Sequence, residues 1–173
     1  MADKDRASKG ELNMQARGFS LVEIIVVIGI ISILTAIGTL SFGEYARRYR
    51  TEAQTRMIYG ELLHARSSSL YQRRETRMKF YRERFEVYSS MLDSDSGVAP
   101  VTMRTLEFPI KWNGNDVNVD FDEKGMTADL GTICIDGSDL TGSVDSVVIA
   151  NIRVSIGKKD QGGVCKGENI ILR

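Results

Sequence analysis

Three groups of residues in this 173-residue chain have types and spacings suited to chemistry. The first is a lone carboxylate, Glu23, near the start of the apolar run Leu21–Phe42 (LVEIIVVIGIISILTAIGTLSF). A charge in a membrane helix costs about 2–3 kcal/mol at the bilayer centre and less near the interface, so Glu23 implies a function and a partner. The second is Asp93-x-Asp95-x-Gly97, a fragment of a calcium loop. Its twelfth loop position, where a bidentate Glu belongs, is Arg104, so we expect a solvated loop and assign no metal. The third is basic. Arg73 to Arg84 carries six cations against Glu75 and Glu83, and Arg153, Lys158 and Lys159 form a smaller group near the C-terminus. Such clusters serve phosphate contacts, acidic neighbours or simply a solvated face. Catalytic chemistry has no comparable signal. His64 lies among Leu62, Leu63 and Ala65, and no nucleophile motif or phosphate loop occurs. One His and two Cys cannot supply four zinc ligands. We therefore expect no enzyme and no cofactor.

These residues need elements to hold them. With 23 basic and 23 acidic side chains and a pI near 6.6, a uniformly basic nucleic-acid binder is excluded. Two prolines and 16 glycines exclude Pro-rich and collagen-like chains. The mean hydropathy of −0.17 averages unlike parts. As a helix, Leu21–Phe42 would reach about 33 Å, enough for a hydrocarbon core of about 30 Å. The run is longer than the apolar core of a secretory signal, and no good cleavage site follows it. Charge leaves its orientation open. Lys4, Arg6, Lys9 and Arg17 precede it and Arg47, Arg48, Arg50 and Arg56 follow. Ser32 with Ala36, and Thr39 with Gly43, stand at the four-residue spacing of close helix contacts, though small residues are common in any membrane helix.

Beyond Glu44 the helix is expected to continue as an amphipathic one. Thr51, Thr55, Ile58, Leu62 and Ala65 share a face, and an end is due between Leu70 and Arg74. The period then changes to two. Thr76, Met78 and Phe80 alternate with Arg77, Lys79 and Tyr81, and Phe85 and Val87 with their polar neighbours, so two strands meet near Arg82-Glu83. Further strands are expected at Met103–Phe108, Val117–Phe121, Thr132–Ile135, Val147–Ile149, Arg153–Ile156 and Ile170–Leu172. A long helix followed by antiparallel strands makes the fold class α+β.

The residues around Glu23 also complete a pattern. Arg17-Gly18-Phe19-Ser20-Leu21-Val22-Glu23, running into the apolar stretch, resembles the N-terminus of the type IV pilin and type II secretion pseudopilin family. The resemblance implies a cleaved leader over 1–18, cut by prepilin peptidase between Gly18 and Phe19, and N-methylation of Phe19. It implies a membrane-spanning or filament-core helix over 19–43, its amphipathic continuation over 44–74, and a periplasmic β-rich domain over 75–173. The localisation implied is the bacterial inner membrane, single-pass, and then a pilus or pseudopilus. Glu23 would pair with the α-amino group of Phe19 in a neighbouring subunit. Partners implied are other pilins or pseudopilins, prepilin peptidase, the inner-membrane assembly platform, and membrane lipid before assembly.

Ala65-Arg66-Ser67, Phe121 with Gly125, and Val147 to Ile149 are similar to the GspH/FimT group of minor pseudopilins, which implies two small sheets packed on the helix. With the domain periplasmic, Cys134 and Cys165 are expected to form a disulfide; two free thiols or a redox pair are the alternatives. Some FimT-type pilins are implicated in DNA uptake through a Gly-Arg-x-Arg-like turn. Here Asn151-Ile152-Arg153-Val154-Ser155 lacks the Gly and the second Arg. DNA contact by Arg153, Lys158 and Lys159 is thus the secondary expectation behind a structural filament subunit.

Overall fold

The computed structural model describes residues 19–114, 118–136, 143–160 and 162–173, and for 37 and 39–41 the backbone alone. The expected leader with Gly18, and Val117 of the expected fifth strand, lie outside the described residues. Helix α1 runs from Leu21 to Gln72, and the chain divides into two units between Phe42 and Gly43.

In the first unit the described side chains are exposed all round α1. Ile25, Val26, Val27 and Ile28 keep between 47% and 61% of their surface. β-branched residues are indifferent helix formers in water, but in an apolar medium a helix is what satisfies every backbone group. The hydroxyls follow the same economy. Ser32 Oγ donates to Ile28 O (2.8 Å) and Thr35 Oγ1 to Ile31 O (2.7 Å), so neither needs a partner outside the helix. Among the described residues no helix is long and apolar enough to cross a membrane. The expected span over 19–43 includes the side chains at 37 and 39–41, which lie outside the described residues.

The second unit is built on the rest of α1. Thr51, Thr55, Ile58, Leu62 and Ala65, the stripe expected from the sequence, are buried, and Gln54 and Ser69 are buried with them. The helix stops at Gln72. Arg73 turns into the left-handed region (φ 49°), and Arg74 N donates back to Ser69 O (3.2 Å). That six-to-one bond is the Schellman closure, with an arginine where glycine is usual.

Two antiparallel sheets pack on this helix. Sheet A holds β1 (Thr76–Phe80), β2 (Arg84–Tyr88), β3 (Thr102–Thr105) and β5 (Asn118–Phe121) in the order β3-β2-β1-β5. Sheet B holds β4 (Ile110–Gly114), β6 (Gly131–Ile135), β7 (Ser146–Ala150), β8 (Arg153–Lys159) and β9 (Ile170–Leu172) in the order β4-β6-β7-β8-β9. Met78, Phe80, Phe85, Val119 and Phe121 from sheet A join Ile110, Ile133, Ile135, Val147, Ile149 and Val154 from sheet B in one core with Ile58 and Leu62. The fold is α+β and pilin-like, with the two small sheets expected.

Strand β8 runs on to Lys159 where an end at Ile156 was expected, and two further strands differ from expectation. The strand expected at Met103–Phe108 ends at Thr105, because the chain there leaves sheet A for sheet B. Leu106 N still bonds Glu83 O in the β2–β3 register, but beyond it the Gln54 side chain holds both the N–H and the C=O of Phe108. Strand β4 was not expected, since Pro109 and Asn113-Gly114 read as turn signals on both sides of it. What makes it a strand is Trp112, which stacks on Phe80 (centroids 5.8 Å apart) and covers Gly114 and Gly131. A Cβ at either glycine would fall within 2.5–2.7 Å of the indole.

Candidate functional site

Phe19 and Glu23 sit at the exposed start of α1, Phe19 with 77% of its surface open. Among the described residues none lies within ion-pair distance of Glu23. Its neighbours on the helix are Leu21, Val22, Ile24 and Val26, all exposed. Over the described residues 19–42 the helix thus carries apolar side chains and one carboxylate, Glu23.

The motifs at the far end of α1 come together. Arg66 Nε donates to Gly125 O (2.9 Å), and Thr76 Oγ1 donates to Ala65 O (3.1 Å). Gly125 adopts φ 68° directly over Leu70, whose Cγ would stand 2.8 Å from an added Cβ. Only glycine meets both demands at this turn.

The expected solvated loop at Asp93–Gly97 is not solvated at Asp93, which keeps 4% of its surface. The Asp-x-Asp-x-Gly spacing serves a short 3-10 helix, Ser94–Ser96. Asp93 caps it by accepting from Asp95 N (3.0 Å), and Gly97 closes it at φ 77°. The carboxylates face sheet A. Arg77 donates to Asp93 Oδ2 (3.0 Å) and, through two nitrogens, to Asp120 (2.8 and 2.7 Å). Lys79 Nζ bonds Asp95 and stands 3.6 Å from Asp93. Of the readings left open for the basic segment, a solvated face does not fit Arg77 and Lys79, whose side chains keep only 18% and 10% of their surface. Arg84 pairs with Glu86 (3.1 Å) and lies over the Tyr81 ring (4.3 Å).

Charges in this layer hold one another's protonation. Hydrogen bonding to Asp120 raises the Arg77 pKa, and hydrogen bonding to Asp95 raises that of Lys79. Burial pushes Asp93 upward, but the Arg77 bond and the Asp95 N–H outweigh it and leave the carboxyl below its ordinary value. Burial likewise opposes Glu86, whose bonds from Tyr88 (2.6 Å), Arg84 and Tyr81 pull it down. This layer went unrecognised in the sequence. The available signal was two pairs of like charges spaced by two: Arg77 and Lys79 share one side of a strand, and Asp93 and Asp95 are brought together by the cap and first turn of the 3-10 helix.

On sheet B, Cys134 and Cys165 are joined, with Cα atoms 5.9 Å apart. The disulfide lays the segment before β9 over the outer face of β6 and β7, where Gly167 rests on Thr132 and Val148. Strand β8 separates the candidate DNA contacts. Val154 faces the core, so Lys158 shares its side, while Arg153 and Lys159 lie on the other side. Those two stand six residues apart, about 20 Å along the strand. Among the described residues no group of His, Cys, Asp and Glu is arranged to hold a metal ion.

Residues 13–39 match the family model described as the prokaryotic N-terminal methylation motif. No curated protein matches the sequence. Among solved structures the chain is similar to the type IV minor pilin FimU of Pseudomonas aeruginosa in two crystal forms. One gives a TM-score of 0.52 at 17% identity, covering 65% of this chain and 91% of that one. The other gives 0.49 at 18% identity, covering 61% and 90%. At this identity the first likeness establishes the fold.

Proposed function

On the premise that motif and fold are those of the type IV pilin and pseudopilin superfamily, we propose that this chain is a minor pilin or pseudopilin, a structural subunit of a short filament rather than an enzyme. One observation carries the reading: the methylation motif sits on an apolar helix surface whose single carboxylate, Glu23, has no ion-pair partner among the described residues. The subunit is stored in the inner membrane through residues 19–43, with its β domain periplasmic. Prepilin peptidase cuts between Gly18 and Phe19 and methylates the new N-terminus. An ammonium and a carboxylate are each costly in an apolar filament core, and pairing Glu23 with the Phe19 amine of a neighbour removes both costs. Type II secretion and type IV pilus systems both accommodate such a subunit. The Arg66–Gly125 contact supports the GspH/FimT-like subgroup.

The test has two readouts on one strain. Mass analysis of the membrane-derived protein should find Phe19 as a methylated N-terminus, and Glu23→Ala should leave that processing intact while removing the protein from sheared filaments. Unprocessed protein that is absent from filaments would reduce the chain to a membrane-anchored protein that does not polymerise, and unchanged assembly in Glu23→Ala would remove the pairing role of Glu23. Arg153, Lys158 and Lys159 receive no DNA-binding role in this reading. A duplex-DNA mobility shift at low salt that disappears in Arg153→Glu with Lys158→Glu would restore the uptake alternative.

A further inference from the structure

A groove of about 790 Å³ runs between α1 and β3, with Gly60, Glu61, His64 and Ser68 on the helix side and Thr102 and Arg104 on the strand side. Strand β3 is the edge of sheet A, and its hydrogen-bonding direction follows from the ladder. Leu106 N bonds Glu83 O and the register pairs Phe85 with Arg104. Alternation then turns the backbone groups of Thr102 and Arg104 toward β2, and those of Met103 and Thr105 away from the sheet. Met103 and Val101 keep 60% and 69% of their surface. The edge therefore offers the N–H and C=O groups of two residues to an incoming strand.

The groove lies where such a strand would place its inward side chains. Sheet A covers α1 only as far as β3, and beyond it Gly60 has open space where a Cβ would stand. What enters is restricted by charge. Arg104 points to the helix side, with 57% of its side chain exposed, and meets Glu61 at 3.6 Å. Arg74 also lines the groove and is bonded to the neutral Gln72 side chain (2.8 Å). The groove thus carries one net positive charge, counting His64 as neutral. A cation facing inward at an edge opposes pairing with an apolar strand and favours one that brings a carboxylate.

From the free edge, the space beside it and the excess cation, we propose that β3 is a docking edge for an extended acidic segment of another protein chain, added as a fifth strand of sheet A. The added strand takes the outward backbone groups of Met103 and Thr105 and sets a Glu or Asp side chain between Arg104 and Arg74. This mode of recognition obtains affinity from main-chain bonds and selectivity from alternate side chains. It goes beyond filament assembly through α1 and does not depend on it.

The full chain in detergent micelles, labelled with nitrogen-15, would be titrated with two capped peptides, Thr-Val-Glu-Val-Thr and Thr-Val-Lys-Val-Thr. The Glu peptide should shift the Met103 and Thr105 amides at concentrations about tenfold lower than the Lys peptide, the factor expected for one charge-assisted bond. Met103→Pro should abolish the response, since it deletes an N–H that points away from β2; the Trp112 indole signal should stay in place as a check of the fold. Arg74→Gln with Arg104→Gln, which leaves the backbone untouched and Glu61 as the one charged side chain of the groove, should abolish the preference for the Glu peptide and turn it toward the Lys peptide. No shift at β3 up to millimolar peptide, equal response to both peptides, or a preference that survives the double variant would overturn the proposal. β3 shifts that follow protein concentration without peptide would overturn it in favour of a second copy as the occupant.

Discussion

The outer faces of the two sheets solve one problem in two ways. Each sheet turns one side to the helical core and must cover part of the other with chain that has no regular ladder to join. Sheet A is covered by the loop after β2, held by charge: Asp93 and Asp95 against Arg77 and Lys79, with Asp120 completing the group. Sheet B is covered by the segment before β9, held by the Cys134–Cys165 bond. A covalent tie acts on the unfolded chain and is indifferent to acid. An ionic tie acts in the folded state and depends on protonation at both partners. The two covers should therefore fail under different conditions, reductant for one and pH for the other.

The largest expected effect breaks the covalent side. Replacing Cys134 and Cys165 by Ser releases a closure of 31 residues in sequence separation, worth about 3–4 kcal/mol in the chain-entropy model. Urea midpoints of oxidised wild type and the double variant measure it. A loss below about 1 kcal/mol would mean the segment is held by its own packing. Next, Arg77→Met removes the shared cation from the ionic side and strands Asp120 without its two charge-assisted bonds, at a cost of about 2–3 kcal/mol. The same denaturation assay reads it, and amide exchange should quicken at Val98, which is held to Asp93 O. If exchange quickens instead across β9, the two covers are not separate.

Gly157→Ala probes how closely the covalent cover sits. An added Cβ would meet Ile170 Cγ2 at 2.5 Å and Ile171 O at 2.7 Å. Backbone cannot yield as a flexible side-chain tip does, so about 1–2 kcal/mol should be lost, read as a lower thermal midpoint. A neutral result would place β9 farther from β8 than the register implies.

The smallest expected effect is pH-dependent. Asp93 and Glu86 have folded-state pKa values below their ordinary 3.8 and 4.5. Their contribution is complete above those ordinary values and is lost as pH falls through the lower folded ones. Lys79 runs the other way: its pKa is raised above 10.5, so its contribution is complete below 10.5 and is lost as pH rises through the raised value. Exchange at Val98 should thus quicken below about pH 4 and above about pH 10.5, with the sheet B segment unchanged at both ends. Parallel loosening of both covers in acid would remove the distinction.

Much of this was legible from residue types and periods. Thr51, Thr55, Ile58, Leu62 and Ala65 mark the buried stripe of α1, and the helix ends within the stretch the sequence indicated. The strands after residue 75 announce themselves by alternation, because a half-buried strand writes its two faces into the sequence at period two. Strand β4 did not. Its turn-like ends are overridden by a stacking contact with Phe80, 32 positions away in the chain. The charge layer escaped for a related reason. Arg77 and Asp93 each look solvated in isolation, and only the fold of the loop after β2 takes both out of water together.

What the sequence alone determined is local or periodic. It set the apolar run with one carboxylate, the methylation motif that residues 13–39 match, the amphipathic face of α1 and the α+β order of elements. These need no knowledge of distant partners, since hydropathy period and motif spacing act within a few turns of chain. Tertiary structure alone decided which cations are neutralised, that Arg66 reaches Gly125, that Arg153 and Lys159 point away from Lys158, and that sheet A stops at β3 with its edge open. Each of these depends on residues far apart in sequence meeting in space. Burial, which turns a formal charge into a clamp or a free cation, is a property of that meeting.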